Sequence, residues 1–113
     1  DLGAQLADAA GGEGLDDVFS LADLDQKPRP LFQRPPVYPS DLLRAKQEGK
    51  VDVVFTVDSG GQVLDPRVSK STHPGFERAA VEAVRSWKFE PGQRSGNPVT
   101  FKMKQEISVR LPG

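Results

Sequence analysis

Apolar and polar side chains alternate most sharply at residues 51–57, where Val51, Val53, Phe55 and Val57 are interleaved with Asp52, Val54 and Thr56. A period of two predicts a β-strand with one face packed and the other mostly polar. Asp58-Ser59-Gly60-Gly61 follows and supplies φ > 0 residues for a tight turn, so residues 62–69 are predicted to return as a second strand. Pro66 lies inside that strand and cannot donate to a ladder, so it belongs on an edge or at a bulge. The period then changes. Phe76, Ala80, Ala83, Val84 and Trp87 recur at steps of three and four after His73-Pro74-Gly75, which predicts an amphipathic helix. Its opposite face carries Glu77, Arg78, Glu82 and Arg85, with Glu82 and Arg85 spaced for an ion pair.

Phe89-Glu90-Pro91-Gly92 ends any helix, residues 93–97 form a polar loop, and alternation resumes over 98–111. There Val99, Phe101 and Met103 share a face with Ile107, Val109 and Leu111, while Thr100, Lys102 and Lys104 point the other way. Upstream, Pro39 suits the first turn of a helix, with Leu42, Leu43 and Lys46 on helical spacing and Gly49 as its stop. The order is α-β-β-α-β. It predicts an α+β fold, a three-stranded antiparallel sheet with two helices on one face.

Residues 1–14 are rich in Gly, Ala and acid and bury too little to offset ordering entropy, so they read as a mobile arm. Leu15, Val18, Phe19, Leu21 and Leu24 form a short amphipathic stretch, which is either a weakly ordered tether or a helical turn or strand docked on the domain. Pro28, Pro30, Pro35, Pro36 and Pro39 favour extended chain and argue against regular ladders. The expected organisation is an acidic, Pro-rich arm and linker over 1–37 and a folded domain over 38–113.

Charge sharpens this division. The net charge is −1. Asp1, Asp8, Glu13, Asp16, Asp17, Asp23 and Asp25 outweigh Lys27, Arg29 and Arg34, so residues 1–34 carry −4 and the remainder +3. Neither value is the basic footprint of a nucleic-acid binder, and no nucleic-acid partner is expected. No apolar run approaches the roughly 20 residues that span a bilayer, and the chain starts at Asp1, so it reads as a fragment or processed product. Without Cys there is no disulfide, thiolate metal site or cysteine nucleophile. His73, the single His, precedes Pro74 and reads as a capping or surface residue. Ser69 and Ser71 lie near it without an orienting acid for a triad. Asp16-Asp17 and Asp58 form no liganding set, and the Gly60-Gly61 turn lacks the Lys and helix of a phosphate loop. The expectation is a protein that is not an enzyme, with no cofactor and no metal.

What remains is a surface. A three-stranded sheet has two open edges whose unpaired N–H and C=O groups can accept an incoming peptide. The charged residues on the last strand serve equally to guard an edge against aggregation. Tyr38-Pro39, Glu48-Gly49-Lys50-Val51, the alternating run to Asp58, Gly61-Gln62-Val63, Ser71, Pro74, Phe76, Ala79-Ala80, Ala83 and Trp87-Lys88-Phe89-Glu90-Pro91-Gly92 together resemble the C-terminal domain of TonB-family energy transducers. The likeness runs in order from Tyr38 to Leu111. Each piece is weak alone and the set is specific.

The resemblance implies a periplasmic domain on a proline-rich spacer, anchored by an N-terminal helix to an inner-membrane proton-channel motor complex. It implies docking of the N-terminal peptide of TonB-dependent outer-membrane receptors by β-strand addition, which drives import of nutrients such as siderophores. Val99, Thr100, Phe101, Lys102, Met103, Lys104 and Gln105 match the docking strand, and Gln33, Tyr38 and Pro39 match the connector near the docked peptide. Trp87, Phe89, Pro91 and Gly92 match the structural signature, and their apolar character suits core and turn roles. The turn at Asp58-Ser59-Gly60-Gly61 is one residue longer than the family's Asp-Gly turn, and Pro66 interrupts the second strand. The acidic arm lies outside the family core; it has either an edge of this sheet or a second copy, in a homodimer, as its partner. A different class of function carries the same fold: a non-catalytic cell-envelope scaffold, Tol-like or binding the peptidoglycan surface.

Overall fold

A computed structural model describes residues 18–112 of the chain. In chain order its elements are β1 (Val18–Ser20), β2 (Arg29–Phe32), α1 (Ser40–Arg44), β3 (Gly49–Val57), β4 (Val63–Ser71), α2 (Glu77–Arg85), β5 (Lys88–Glu90), β6 (Gln93–Arg94), β7 (Asn97–Pro98) and β8 (Thr100–Val109). Single 3-10 turns at Leu21–Asp23 and Pro74–Phe76 follow β1 and precede α2. The arm at 1–14 lies outside the described residues.

The strand with the cleanest alternation is the spine of the domain. Val51, Val53 and Val57 of β3 have no exposed surface, while Asp52, Val54 and Thr56 between them are half-buried. β3 pairs antiparallel with β4 on one side and with β8 on the other, from Gly49 opposite Val109 to Val57 opposite Phe101. Phe101, Ile107 and Val109 join its buried face, and Phe76, Ala80, Val84 and Trp87 from the α2 region cover it. Tyr38, just before α1, and Leu42 within it pack against the same core. The α+β layering is therefore as the periodicity predicts.

The sheet is not three-stranded and antiparallel. It has four strands in the order β1-β8-β3-β4, because β1 pairs parallel with β8 and makes the sheet mixed. The amphipathic stretch thus takes its docked alternative. Phe19 and Leu21 pack against the core and Leu24 enters it, 8% exposed. Burial of these side chains, together with the backbone groups β1 satisfies on β8, offsets the cost of ordering the segment.

Four local readings also change. The first helix stops at Arg44 because Lys46 adopts φ 57°, with Lys46 N–H donating to the Leu43 carbonyl and Gln47 N–H to that of Leu42. That double bond pattern closes a helix C-terminus. Gly49 instead opens β3 at a crowded point, where a Cβ would stand 2.6 Å from the Phe76 ring. The Pro-rich linker does carry a ladder: β2 pairs antiparallel with β5, and the register shifts between Pro30 and Phe32. A bulge and an outer edge are the sites where a strand tolerates proline. The loop at 93–97 is a two-residue hairpin, β6 to β7, with Ser95 and Gly96 both at positive φ, and the last strand runs from Thr100 to Val109. Glu82 pairs with Arg78 at 3.3 Å instead of with Arg85.

Pro66 meets both conditions set for it. β4 is an edge strand, and its register with β3 shifts between Val54 and Thr56, opposite Arg67 and Leu64. Asp65 sits there at φ 53°. In the β3–β4 turn Gly61 takes φ 87°, and the Asp58 carboxylate accepts from the N–H groups of Gly60 and Gln62 at 2.9 Å each.

Candidate functional site

The alternation of β8 divides its residues between two jobs. Phe101 is fully buried, and Met103 is half-buried against the core, so these residues hold the strand in place. Lys102 and Lys104 project from the other face. The Lys102 ammonium donates to Thr56 Oγ1 at 3.3 Å and that of Lys104 lies 3.8 Å from the Asp52 carboxylate, both across the β3–β8 seam. Gln105 Nε2 donates to the Glu106 carbonyl at 3.4 Å. Val99 precedes the strand and donates its N–H to the Gly92 carbonyl at 3.1 Å.

One side of β8 is filled by β3 along its length. On the other side, Thr100, Phe101 and Lys102 face Val18, Phe19 and Ser20 of β1. Beyond Lys102 the chain of β1 turns away, and among the described residues no strand pairs with the outer side of β8 from Met103 to Val109. Seven residues of strand offer about 23 Å of unpaired backbone. The residues predicted for docking are thus split: Thr100, Phe101 and Lys102 are occupied, and Met103, Lys104 and Gln105 lie on the open part.

Tyr38 stacks edge-on against Phe76, ring centroids 5.7 Å apart, and its hydroxyl donates to the Gln47 carbonyl. Burial, with Glu48 nearby, holds the phenol above its ordinary pKa. Phe76 lies over Gly49, which pairs with Val109, so Tyr38 and Pro39 stand at the far end of the sheet from Thr100. Gln33 is exposed in the connector next to Arg34, whose carbonyl accepts from Trp87 Nε1 at 2.8 Å. The structure therefore does not gather Gln33 and Tyr38 at one end of β8.

Trp87 and Phe89 are core residues, 6% and 3% exposed, packed on each other and on Phe55. Gly92 is buried where a Cβ would stand 2.4 Å from Leu24, and Pro91 before it is half-buried. His73 Nδ1 accepts from Gly75 N–H at 3.0 Å and caps the turn into α2, the first of the two roles expected of it. Among the described residues no group of three His, Cys, Asp or Glu could hold a metal. An open groove of about 540 Å³ at the Val109 end is lined by Glu48, Lys50, Thr72, Ser108 and Arg110 among others, and the Glu48 carboxylate there accepts from Leu111 N–H at 2.8 Å.

Sequence reasoning left β1 as one of several alternatives and did not foresee β5. The signal for β1 was present in Phe19, Leu21 and Leu24. For β5 it was confined to three residues between a helix and a Pro-Gly pair, too few to show a period.

The family described as Gram-negative bacterial TonB protein C-terminal matches residues 34–111. Protein TonB of Pseudomonas aeruginosa is 36% identical over 98 residues, covering 86% of this chain and 28% of that protein. Protein TonB of Xanthomonas campestris is 29% identical over 96 residues, covering 84% and 41%. The chain thus spans less than half the length of these relatives. The solution structure of the Pseudomonas aeruginosa TonB C-terminal domain superposes with a TM-score of 0.56 at 29% identity, covering 76% of this chain and 90% of that one. That of Helicobacter pylori gives 0.54 at 28%, covering 69% and 83%. With this match over most of its length, and the same fold in solved relatives, the chain belongs to the TonB C-terminal-domain family.

Proposed function

We propose that this chain is the periplasmic, force-transmitting domain of an inner-membrane-anchored energy transducer. It docks the N-terminal peptide of outer-membrane receptors by β-strand addition and couples an inner-membrane proton-driven motor to nutrient import. Membership of the TonB family supports the transducer role. The observation that carries the docking mode is the outer side of β8 from Met103 to Val109, which no strand among the described residues pairs with, next to a core that holds the strand in place through Phe101, Ile107 and Val109. Backbone pairing along such an edge supplies affinity, and flanking side chains supply selectivity. A strand pulled along its own length loads several of these bonds together, which resists force better than breaking them one at a time.

The test is an amide-shift titration of the isotope-labelled chain with N-terminal peptides of outer-membrane receptors from the same organism. Shifts concentrated on Met103–Val109, alone or together with Thr100–Lys102 and its partner β1, are the expected result. Saturable shifts confined to surfaces away from β8 and β1, or none with any receptor peptide in a folded sample, overturn the reading in favour of an envelope scaffold.

A further inference from the structure

We infer that β1 is a built-in, removable occupant of the β8 edge, a tethered strand that an incoming peptide must displace from Thr100–Lys102 to use the edge in full. The inference rests on the docking mode proposed above and adds a gate to it.

Two parts of the N-terminal segment are held very differently. Residues 24–26 are anchored. Leu24 is in the core, the N–H groups of Asp25 and Gln26 donate to the Gln93 carbonyl at 2.8 and 3.2 Å, and Gln93 N–H returns to Gln26 at 2.9 Å. The Asp25 carboxylate accepts from Ser95 N–H as well. Among the described residues β1 has less. It is three residues long, and Phe19 packs half-buried at the margin of the core with the Arg94 guanidinium 4.9 Å above its ring. Between the two parts lies the 3-10 turn, where the Asp23 carboxylate accepts from Ser20 N–H and Oγ–H at 3.1 Å each. β1 can therefore peel from the edge about the turn while Leu24 and its hydrogen bonds stay in place. A short tether gives β1 an effective concentration in the millimolar range, so it competes against a free peptide without high intrinsic affinity. A peptide long enough to pair with Met103–Val109 as well has more backbone to gain, and it can displace three residues.

The test locks and loosens β1 in the whole chain. The sequence has no Cys, so Ser20→Cys with Lys102→Cys introduces a single possible bridge. The two positions are paired on adjacent strands about 4.8 Å apart, within the roughly 4.4–6.8 Å that a disulfide spans. Phe19→Ala loosens β1 by removing its one ring. Two probes are titrated: a synthetic peptide of this chain's own residues 15–22, and the receptor peptides used above. Folding of each form is checked by thermal melting.

The own-sequence peptide is expected to bind the Phe19→Ala chain at least tenfold more tightly than the unmodified chain. The oxidised double-Cys chain should bind either peptide at least tenfold more weakly than its own reduced form, which isolates the lock from any effect of losing the Lys102 side chain. Receptor peptides that bind all forms equally overturn the gate and leave docking intact. Own-sequence binding that follows the lock, with no receptor peptide bound by any form, keeps the gate and overturns receptor docking. No binding of either probe to folded Phe19→Ala chain overturns both.

Discussion

Trp87→Ala removes a side chain at which β3, β5 and the N-terminal connector meet. The indole is 6% exposed, edge-on to Phe55 at 6.1 Å and to Phe89 at 6.3 Å, and its Nε1–H donates to the Arg34 carbonyl at 2.8 Å. Truncating a buried Trp to Ala costs about 3–5 kcal/mol, the transfer of the lost ring plus the cavity left behind. The two edge contacts and the severed hydrogen bond, worth about 1 kcal/mol each, place Trp87 at the upper end of that range. Against a total stability of about 5–15 kcal/mol for a small domain, this is a third to most of the whole. The melting temperature should fall by about 20–40 °C, at roughly 4–8 °C per kcal/mol for a domain of this size.

Urea unfolding followed by circular dichroism is the assay, because Trp87 is the only Trp and its fluorescence is lost with it. Trp87→Phe is the companion. It keeps a ring against Phe55 and Phe89 but frees the Arg34 carbonyl, and should cost about 1–2 kcal/mol. A loss below about 1.5 kcal/mol for Trp87→Ala, with the denaturant slope unchanged, would refute the assignment of Trp87 to the core. A stable Trp87→Ala chain that had lost peptide binding would place the residue in the interface instead.

Backbone pairing on β8 predicts a contrast between neighbours, because successive residues of a strand point their N–H groups to opposite sides. Of Lys104→Pro and Gln105→Pro, one should break a bond to β3 and destabilise the domain; the other should keep its melting temperature and lose peptide binding. A Lys102→Ala change that damaged binding more than the second of these would instead give recognition to side-chain charge. Gly61→Ala and Gly96→Ala both place a Cβ at positive φ, 87° and 78°. Gly61 also brings the Cβ within 1.9 Å of the Phe89 carbonyl oxygen, while nothing lies within 4 Å at Gly96. Urea midpoints should show a loss above about 2 kcal/mol for the first and about 1 kcal/mol for the second; equal losses would mean that crowding at Gly61 is relieved. The hydrogen bonds and charge of Arg29, at 2.9 and 3.2 Å, hold the Glu90 carboxyl below its ordinary pKa. A lowered folded-state pKa means the clasp contributes fully above the ordinary Glu range and is lost as pH falls through the folded value. Amide exchange at Arg29, Leu31 and Phe32, corrected for intrinsic rates, should accelerate as pH drops below about 4, and Glu90→Gln should abolish that dependence. A pH-independent rate in the unmodified chain would sink the assignment.

The periodicity of the chain determined its local elements and its core. Val51, Val53, Phe55 and Val57 alternate because every second side chain of a strand meets the same face, and Phe76, Ala80 and Val84 recur at helical steps for the corresponding reason. Pro66 announced its edge and bulge because a missing N–H has few places in a sheet. Such properties are local, and a residue and its near neighbours specify them. The proposed docking edge was legible only as far as its strand, since alternation says which face of β8 is buried and nothing about which strands lie beside it.

Pairing was decided by tertiary structure. The three residues of β1 and the three of β5 are too short to display a period. Each is a strand only because a partner elsewhere in the sequence presents unpaired N–H and C=O groups at the right spacing. The same holds for Lys46, which ends α1 in a conformation that Gly usually supplies, while Gly49 is reserved for the place where Phe76 leaves no room for a Cβ. Sequence set what each segment could become. The contacts made on folding selected the partner and, among the described residues, left one end of the β8 edge filled and the other open.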